Sequence, residues 1–320
     1  MVYFKTSDTC DAYMNLAQDE LFLNSLRRED VMLYLYINSA SVIIGRNQNP
    51  WTECNMNRLD ADGVRLVRRI SGGGAVYHDT GNLNYSFICG EEIYNEARQT
   101  GVIQAALKEF NIKADVNGRN DLTVNGRKFS GNAFCKRKGM WQQHGTLLIN
   151  SDTEVFGRYL NVSKQKLEAK GVKSVKARVC NLNEFSNTIT VEGTSKALKH
   201  AFECEYGAAN EYILSTENKA ELDALYKKQT GFDWRIGETP HFDITIQNRY
   251  SWGMGELCLS VEHGIVSAVR LYTDALDTAL SEKCETLLSG LPYKTEEIIA
   301  ALNETNETKE IAEYIRINGI

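Results

Sequence analysis

Apolar positions along this chain change their period several times, and each change marks an element. Leu16, Ala17, Leu21 and the 23–26 stretch fall on one helical face with Glu20 between them. They predict a first amphipathic helix with Asp8, Thr9 or Asp11 as N-cap. The runs Val31–Ile37 and Ser41–Ile44 are aromatic and β-branched and are joined by a short polar link, so they are expected to pair as strands. Residues 55–62 predict a short helix stopped by Gly63. Residues 64–67 and 82–88 alternate like half-buried strands, and 104–110 reads as another helix.

Residues 121–124 and 127–130 flank Asn125-Gly126, the dipeptide best suited to a two-residue type I′ turn, which puts Lys128 on the returning strand of a hairpin. Helices are expected over 192–206 and 219–230. From 243 the chain turns to strands, with 256–261 and 265–271 joined around His263-Gly264, and then to helices over 281–289, Thr295–Leu302 and 309–315. The change of character between 240 and 246 divides the chain into domains 1–246 and 247–320 of α/β class.

With 320 residues and 42% hydrophobic content the chain can bury one large core or a large and a small one. A net charge of -6 argues against a general nucleic-acid binder and leaves room for a local basic site. The first residues lead into a polar stretch, and no apolar run is long enough to span a bilayer, so a cytoplasmic protein without a membrane partner is expected. Eight cysteines without a C-x-x-C pair, and five histidines without close ligand spacing, suggest neither a disulfide framework nor a structural zinc site. Neither a P-loop nor a Rossmann G-x-G-x-x-G is present.

The densest chemistry lies in Arg68-Arg69-Ile70-Ser71-Gly72-Gly73-Gly74-Ala75-Val76-Tyr77-His78-Asp79. Three glycines without Cβ atoms let peptide N–H groups close on an anion, and two arginines supply counter-charge. A glycine-rich hairpin turn with surface arginines is the plainer reading.

Residues 68–87 resemble the lipoate-binding signature of the lipoate-protein ligase A family. Ile43 to Trp51 upstream is similar to that family's early strand and loop. Downstream the order of motifs also fits: Gly118-Arg119-Asn120-Asp121-Leu122, Arg127-Lys128-Phe129-Ser130-Gly131-Asn132-Ala133, His144-Gly145-Thr146, Lys170-Gly171-Val172-Lys173-Ser174-Val175 and Arg178-Val179-Cys180-Asn181. The resemblance runs along essentially the whole chain. It implies the mixed-sheet catalytic domain shared with biotin protein ligases and class II aminoacyl-tRNA synthetases, followed by a small C-terminal α/β accessory domain. It also implies ATP-dependent activation of lipoate to lipoyl-AMP. The lipoyl group would then pass to a lysine of lipoyl domains of 2-oxoacid dehydrogenase E2 subunits or of glycine-cleavage H protein. The alternatives are an ATP-independent octanoyl or lipoyl transferase working through a cysteine thioester, and a non-catalytic acyl-protein binding module.

By the same resemblance Lys128 touches both lipoate and ATP and is the catalytic residue, and Arg69 meets both as well. Gly74, Ala75, Val76 and Tyr77 bind ATP, and Ser71, Gly72, Gly73, His78, Gly131 and His144 line the lipoate site. Asp121, with Asn120, is implied as a Mg²⁺ ligand, and Lys170, Gly171, Val172, Ser174 and Val175 as part of a lid over the adenylate. The residues alone allow plainer roles: an edge-strand lysine, a strand-end histidine at His78, a polar turn at 120–121, a solvated basic face through 163–181. Cys180 reads either as a small lid residue or as a thiol activated by neighbouring lysines. Leu35, Ile44, Val76 and Leu147 serve equally well as tunnel or core.

Overall fold

The computed structural model describes residues 1–117, 121–161, 179–236 and 242–319. The chain forms two compact units: Met1–Ile43, Trp51–Arg68 and Val76–Arg235 make one, and Ile44–Pro50, Arg69–Ala75 and Ile236–Ile320 the other. Two short loops from the first 75 residues thus belong with the C-terminal part, a partition that a single cut in the sequence cannot express.

The first unit is built on an eight-stranded mixed sheet. Its strands are β1 (Val2–Thr6), β2 (Val31–Ile37), β6 (Asn82–Gly90), β7 (Asp115–Asn117), β8 (Asp121–Val124), β9 (Arg127–Arg137), β10 (Met140–Leu148) and β11 (Asn210–Glu211). Their order is β11-β1-β2-β6-β10-β9-β8-β7, parallel at β11-β1-β2 and antiparallel from β2 onward. A smaller sheet runs β4-β3-β5 through β3 (Ser41–Ile44), β4 (Arg65–Arg68) and β5 (Val76–His78). The expected pairing of β2 with β3 is therefore wrong. β2 pairs with β1 and β6, whereas β3 pairs antiparallel with β5. Both runs are good strands, but the link between them sends the chain to a different sheet.

Alternate residues of β2 and β6, namely Val31, Leu33, Leu35, Leu83, Tyr85, Phe87 and Cys89, turn to one face. They pack on Val102, Ile103, Ala106 and Leu107 of α3 (Glu96–Lys108) and on Ala197, Leu198, Ala201 and Phe202 of α4 (Val191–Tyr206). Leu35 and Leu147 lie in this core. Helix α3 begins at Glu96, eight residues before its expected start, with Asn95 as its N-cap; residues 96–101 are mostly polar, and Val102 and Ile103 already belong to the core.

The other face of β6 carries Asn82, Asn84 and Ser86, which are polar and yet buried. Here the alternation marks a covered polar face and not a solvated one. Asn84 Nδ2 donates to Tyr36 O, and Gln142 Nε2 to Ser86 Oγ. Helix α1 (Ala12–Ser25), N-capped by Asp11, buries Asn15, Asp19 and Glu20 together with Leu16 and Leu21. Asn15 Nδ2 donates to Ile37 O and Asn38 Oδ1, Asp19 meets His144, and Glu20 meets Arg137 and Lys228. Outside it lies α5 (Thr216–Thr230), with Leu222 against Ala17 and Leu21. Helix α2 (Met56–Asp62) is as expected, capped by Asn55 and ended by Gly63 at φ 65.

The C-terminal unit has its own core. Strands β12 (Ile244–Tyr250), β13 (Gly253–Glu262) and β14 (Ile265–Thr273) form an antiparallel meander that turns at His263-Gly264. Leu257, Leu259, Val266 and Leu271 pack against Leu280, Cys284 and Leu288 of α6 (Leu280–Leu288), Ile298 and Leu302 of α7 (Thr295–Leu302), and Ile311 and Ile315 of α8 (Asn306–Asn318). Among the described residues no helix is long and apolar enough to cross a membrane.

The hairpin carrying Lys128 turns with Asn125 at φ 51 and Gly126 at φ 76, as the dipeptide requires. Gly126→Ala should therefore lower stability by about 1 kcal/mol, since nothing crowds the position and only the backbone conformation resists. Urea denaturation of the two proteins measures this, and an unchanged midpoint would show that the turn tolerates a side chain.

Candidate active site

Lys128 and Gly131 lie three residues apart on β9, a spacing that normally sends side chains to opposite faces. A β-bulge changes this. Gly131 pairs with Asp121 and Ser130 with Leu122, but Thr123 pairs with Lys128, so Phe129 is an extra residue. Asp121, Thr123, Lys128 and Gly131 consequently share one face. Through Ala133, two residues beyond Gly131 and paired with His144, that face continues to His144.

On this platform Lys128 Nζ lies 2.6 Å from Asp121 Oδ1, with both side chains largely covered. Gly131 makes the space. A Cβ there would come 2.8 Å from Nζ and 3.1 Å from Cε. Asp121 and Gly131, read as metal and lipoate residues, are thus the immediate setting of the lysine. His144 is buried, with Nδ1 3.1 Å from Asp19 Oδ2. Asp19 was not expected. Its only sequence signal is an acid at a helix position otherwise reserved for the buried side.

His78 ends β5, buried, with its Nδ1 3.0 Å from Asn38 Nδ2, which fits the strand-end reading. Val76 and Tyr77 pair with Ile43 and Val42, and the Tyr77 ring stacks on Tyr159 with centroids 5.4 Å apart.

The glycine loop belongs to the other compact unit and is held by it. Arg69 Nε and Nη2 donate to Gly72 O at 3.1 and 2.7 Å, and Nη2 also to Gly74 O at 2.8 Å. Ser71 O accepts from Arg46 N, and Gly73 N donates to Ala275 O at 3.1 Å. Of the three glycines only Gly73 has positive φ, at 94. Gly72 is required for a different reason, because a Cβ there would lie 2.2 Å from Ala275 O. One of the three positions thus uses glycine's conformational freedom and another its missing Cβ. Arg68, in the first unit, donates from Nε and Nη2 to Trp234 O and Arg235 O at 2.8 and 2.9 Å. Both arginines brace backbone.

Asn120 and the lid residues Lys170, Gly171, Val172, Ser174 and Val175 lie outside the described residues. The chain that follows them docks on the lysine strand. Val179 bridges to Lys128, Cys180 N donates to Lys128 O at 2.8 Å, and Arg127 Nη2 donates to Val179 O at 2.8 Å. Arg127 also pairs with Glu184 at 2.6 Å, a hydrogen bond that holds this carboxyl below its ordinary pKa. Cys180 is buried, and burial pushes its thiol up to about 11 against the smaller opposing effect of Arg127. The activated thiol considered from the sequence is not what this environment produces.

The architecture is a mixed-sheet α/β fold with a small, separately packed C-terminal unit. The profile of the Lipoyl protein ligase A/B catalytic domain matches residues 11–203, and that of the Bacterial lipoate protein ligase C-terminus matches 239–319. Lipoate-protein ligase A of Psychrobacter cryohalolentis is 39% identical over 309 residues, covering 94% of this chain and 91% of that protein. The crystal structure of P. falciparum LipL1 in complex with lipoate superposes with a TM-score of 0.86 at 31% identity, covering 99% of this chain and 98% of that one. A bi-partite lipoate protein ligase from Thermoplasma acidophilum, from a study of that ligase and its E2 lipoyl domain, gives 0.65 at 25% identity over 76% of this chain and 98% of that one. The chain belongs to the lipoyl protein ligase A/B family.

A thiol with a pKa of about 11 is only about 0.1% thiolate at pH 8, against roughly a quarter for an unperturbed cysteine. Cys180 should therefore be alkylated by iodoacetamide far more slowly than the exposed Cys10 and Cys204. Peptide mapping over time reads the order, and early labelling of Cys180 would show the buried setting to be wrong.

Proposed function

We propose that this protein is an ATP-dependent lipoate-protein ligase. The observation that carries the reading is the Lys128 ammonium, fixed against Asp121 on a strand whose bulge brings the two to one face and whose Gly131 leaves room for the ammonium. Kinship to ligases over nearly the whole chain supports it.

In the first step a carboxylate oxygen of lipoate attacks the α-phosphorus of ATP. The new O–P bond forms as the bond to the bridging oxygen breaks, and pyrophosphate leaves. Both reactants are anions, so a cation between them offsets their repulsion and stabilises the charge gathering at phosphorus. Lys128 has that role, and Asp121 holds the ammonium in place beforehand. In the second step the neutral amine of an acceptor lysine attacks the acyl carbon and AMP leaves. Arg69 with Gly74, Ala75, Val76 and Tyr77 serves the nucleotide; Ser71, Gly72, Gly73, His78, Gly131 and His144 serve the lipoyl group. Mg²⁺ takes one or two protein carboxylates and completes its shell with water and phosphate oxygens, a requirement that Asp121 fits as a single oxygen donor. The ion would supply charge neutralisation at the phosphates. The acceptors are lipoyl domains of 2-oxoacid dehydrogenase E2 subunits or glycine-cleavage H protein. The buried Cys180 opposes a thioester transferase, and Cys180→Ser should keep most ATP-dependent lipoylation.

Lys128→Ala should lower pyrophosphate release with lipoate and ATP by about 10²- to 10³-fold, the usual cost of removing a preorganised electrostatic contact. Near-normal release from a folded mutant would contradict the assignment.

Gly131→Ala separates site from scaffold. The added Cβ meets only the mobile end of Lys128, so the fold should be retained while the ammonium is displaced from Asp121. Thermal unfolding should change little and pyrophosphate release should drop at least tenfold, as misplacement of a reacting group by a fraction of an ångström does. A variant as active as the parent would mean that the observed lysine position is immaterial.

A further inference from the structure

Lys128 is aimed by its strand, and the strand is gripped from the opposite face. Asn132 pairs with Gly145 and Gly145 with Tyr85, so these three point away from the face that holds Lys128 and Gly131. The Tyr85 hydroxyl donates to Asn132 Oδ1 and lies 3.3 Å from Ser130 Oγ. Gln143 Nε2 adds longer contacts of 3.4 Å to Asn132 Oδ1 and to Thr100 Oγ1. Every member is buried, Tyr85 and Gln143 completely.

The phenol reaches this position only because Gly145 lacks a side chain: a Cβ there would lie 2.5 Å from Tyr85 Oη and 2.6 Å from Gly131 O. Burial raises the Tyr85 pKa above its ordinary value, which keeps the hydroxyl protonated and able to donate at neutral pH. Ser130 and Asn132 are the residues on either side of Gly131, immediately past the bulged Phe129. A bulge interrupts the ladder and leaves the strand locally less determined. Gly131 has no side chain with which to anchor it. Hydrogen bonds between Tyr85 and the residues flanking Gly131 supply that anchorage.

We propose that Tyr85 is a positioning residue for Lys128: by holding Ser130 and Asn132 from one face it fixes the bulged strand, and with it the point on the other face where the ammonium lies against Asp121. The inference rests on the reading of Lys128 as the cation of the activation step.

The test uses full-length Tyr85→Phe, which removes one oxygen and keeps the ring. The turnover number for lipoate-dependent pyrophosphate release should fall about tenfold, while KM for ATP and for lipoate stay within about twofold and the unfolding midpoint within a few degrees. Asn132→Ala should do the same and serves if Tyr85→Phe fails to fold. The double variant should fall well short of the combined single effects, because both remove the Tyr85–Asn132 bond. A readout apart from activity comes from reductive ¹³C-methylation of the lysines. The Lys128 resonance, assigned by its loss in Lys128→Arg, should move in Tyr85→Phe toward its position in Asp121→Asn. A parental turnover with an unmoved resonance overturns the proposal, as do additive effects in the double variant or parallel loss of turnover, both affinities and stability. If the unmutated protein releases no pyrophosphate, or Lys128→Ala releases it normally, the ligase reading fails separately, and the resonance alone then decides whether Tyr85 positions Lys128.

Discussion

A lysine ammonium that must act on two anions has to be near them and still, and these demands conflict in a long flexible side chain. The pairing of Lys128 with Asp121 resolves the conflict electrostatically. One carboxylate restrains the ammonium without burying it, and the pair remains partly open to water. In such a setting an ion pair is weak enough to be exchanged. A triphosphate brings more negative charge than one carboxylate, so arriving substrate can share or take over the cation while Asp121 keeps the lysine from collapsing onto the surface. On the reading of Lys128 as the activating cation, the bulge, the glycine beneath the ammonium and the hydrogen bonds behind the strand all serve this one need.

The polar side of the sheet is the second expense of the site. Polar groups are tolerated in the interior when they are hydrogen-bonded, and most of those facing α1 are. Three oxygens are exceptions: Asp19 Oδ1, Asn82 Oδ1 and Gln142 Oε1 are buried and have no hydrogen-bond partner among the described residues. All three are acceptors. A face built for stability alone would be apolar here, as the opposite face of β6 is. The polar alternation of β6 and β10 lies on the same face of the sheet as His144, and α1 sets Asn15 and Asp19 against that side.

What could be read from the sequence was whatever local rules decide. Asp11 and Asn55 cap their helices, Gly63 ends one, and Asn125-Gly126 and His263-Gly264 turn their hairpins. Each of these outcomes depends on a few adjacent residues. The place of Lys128 on a returning strand was legible for the same reason, since Asn125-Gly126 sets the turn before it. The failures lie where partners are distant in sequence. β3 finds β5 more than thirty residues on, which no property of β3 announces. The start of α3 was invisible because its first turns are mostly polar in sequence, although Gln99 and Thr100 are buried there. The Lys128–Asp121 pair spans a bulge, and a bulge shifts every face assignment beyond it by one. Cys180 could be read from the sequence as a small lid residue or as an activated thiol, and its burial speaks against the activated one.

The glycine loop shows the same distinction between composition and geometry. Two arginines beside three glycines suggest charges held out toward an anion, but Arg69 turns back and binds the carbonyl oxygens of Gly72 and Gly74. Hydrogen bonds to neutral carbonyls do not cancel a guanidinium's charge, as a carboxylate partner would. These bonds fix the loop from within. They also draw those two carbonyls, the loop's own negative dipole ends, toward the arginine and away from any anion the loop meets. Glycine is then needed chiefly for closeness: Cβ atoms at Gly72 and Gly45 would come within 2.2 Å of Ala275 O and 2.1 Å of Gly73 O. A loop whose shape is held by an internal cation can present charge to a substrate without reorganising when it arrives, which is the condition under which electrostatic stabilisation is strongest.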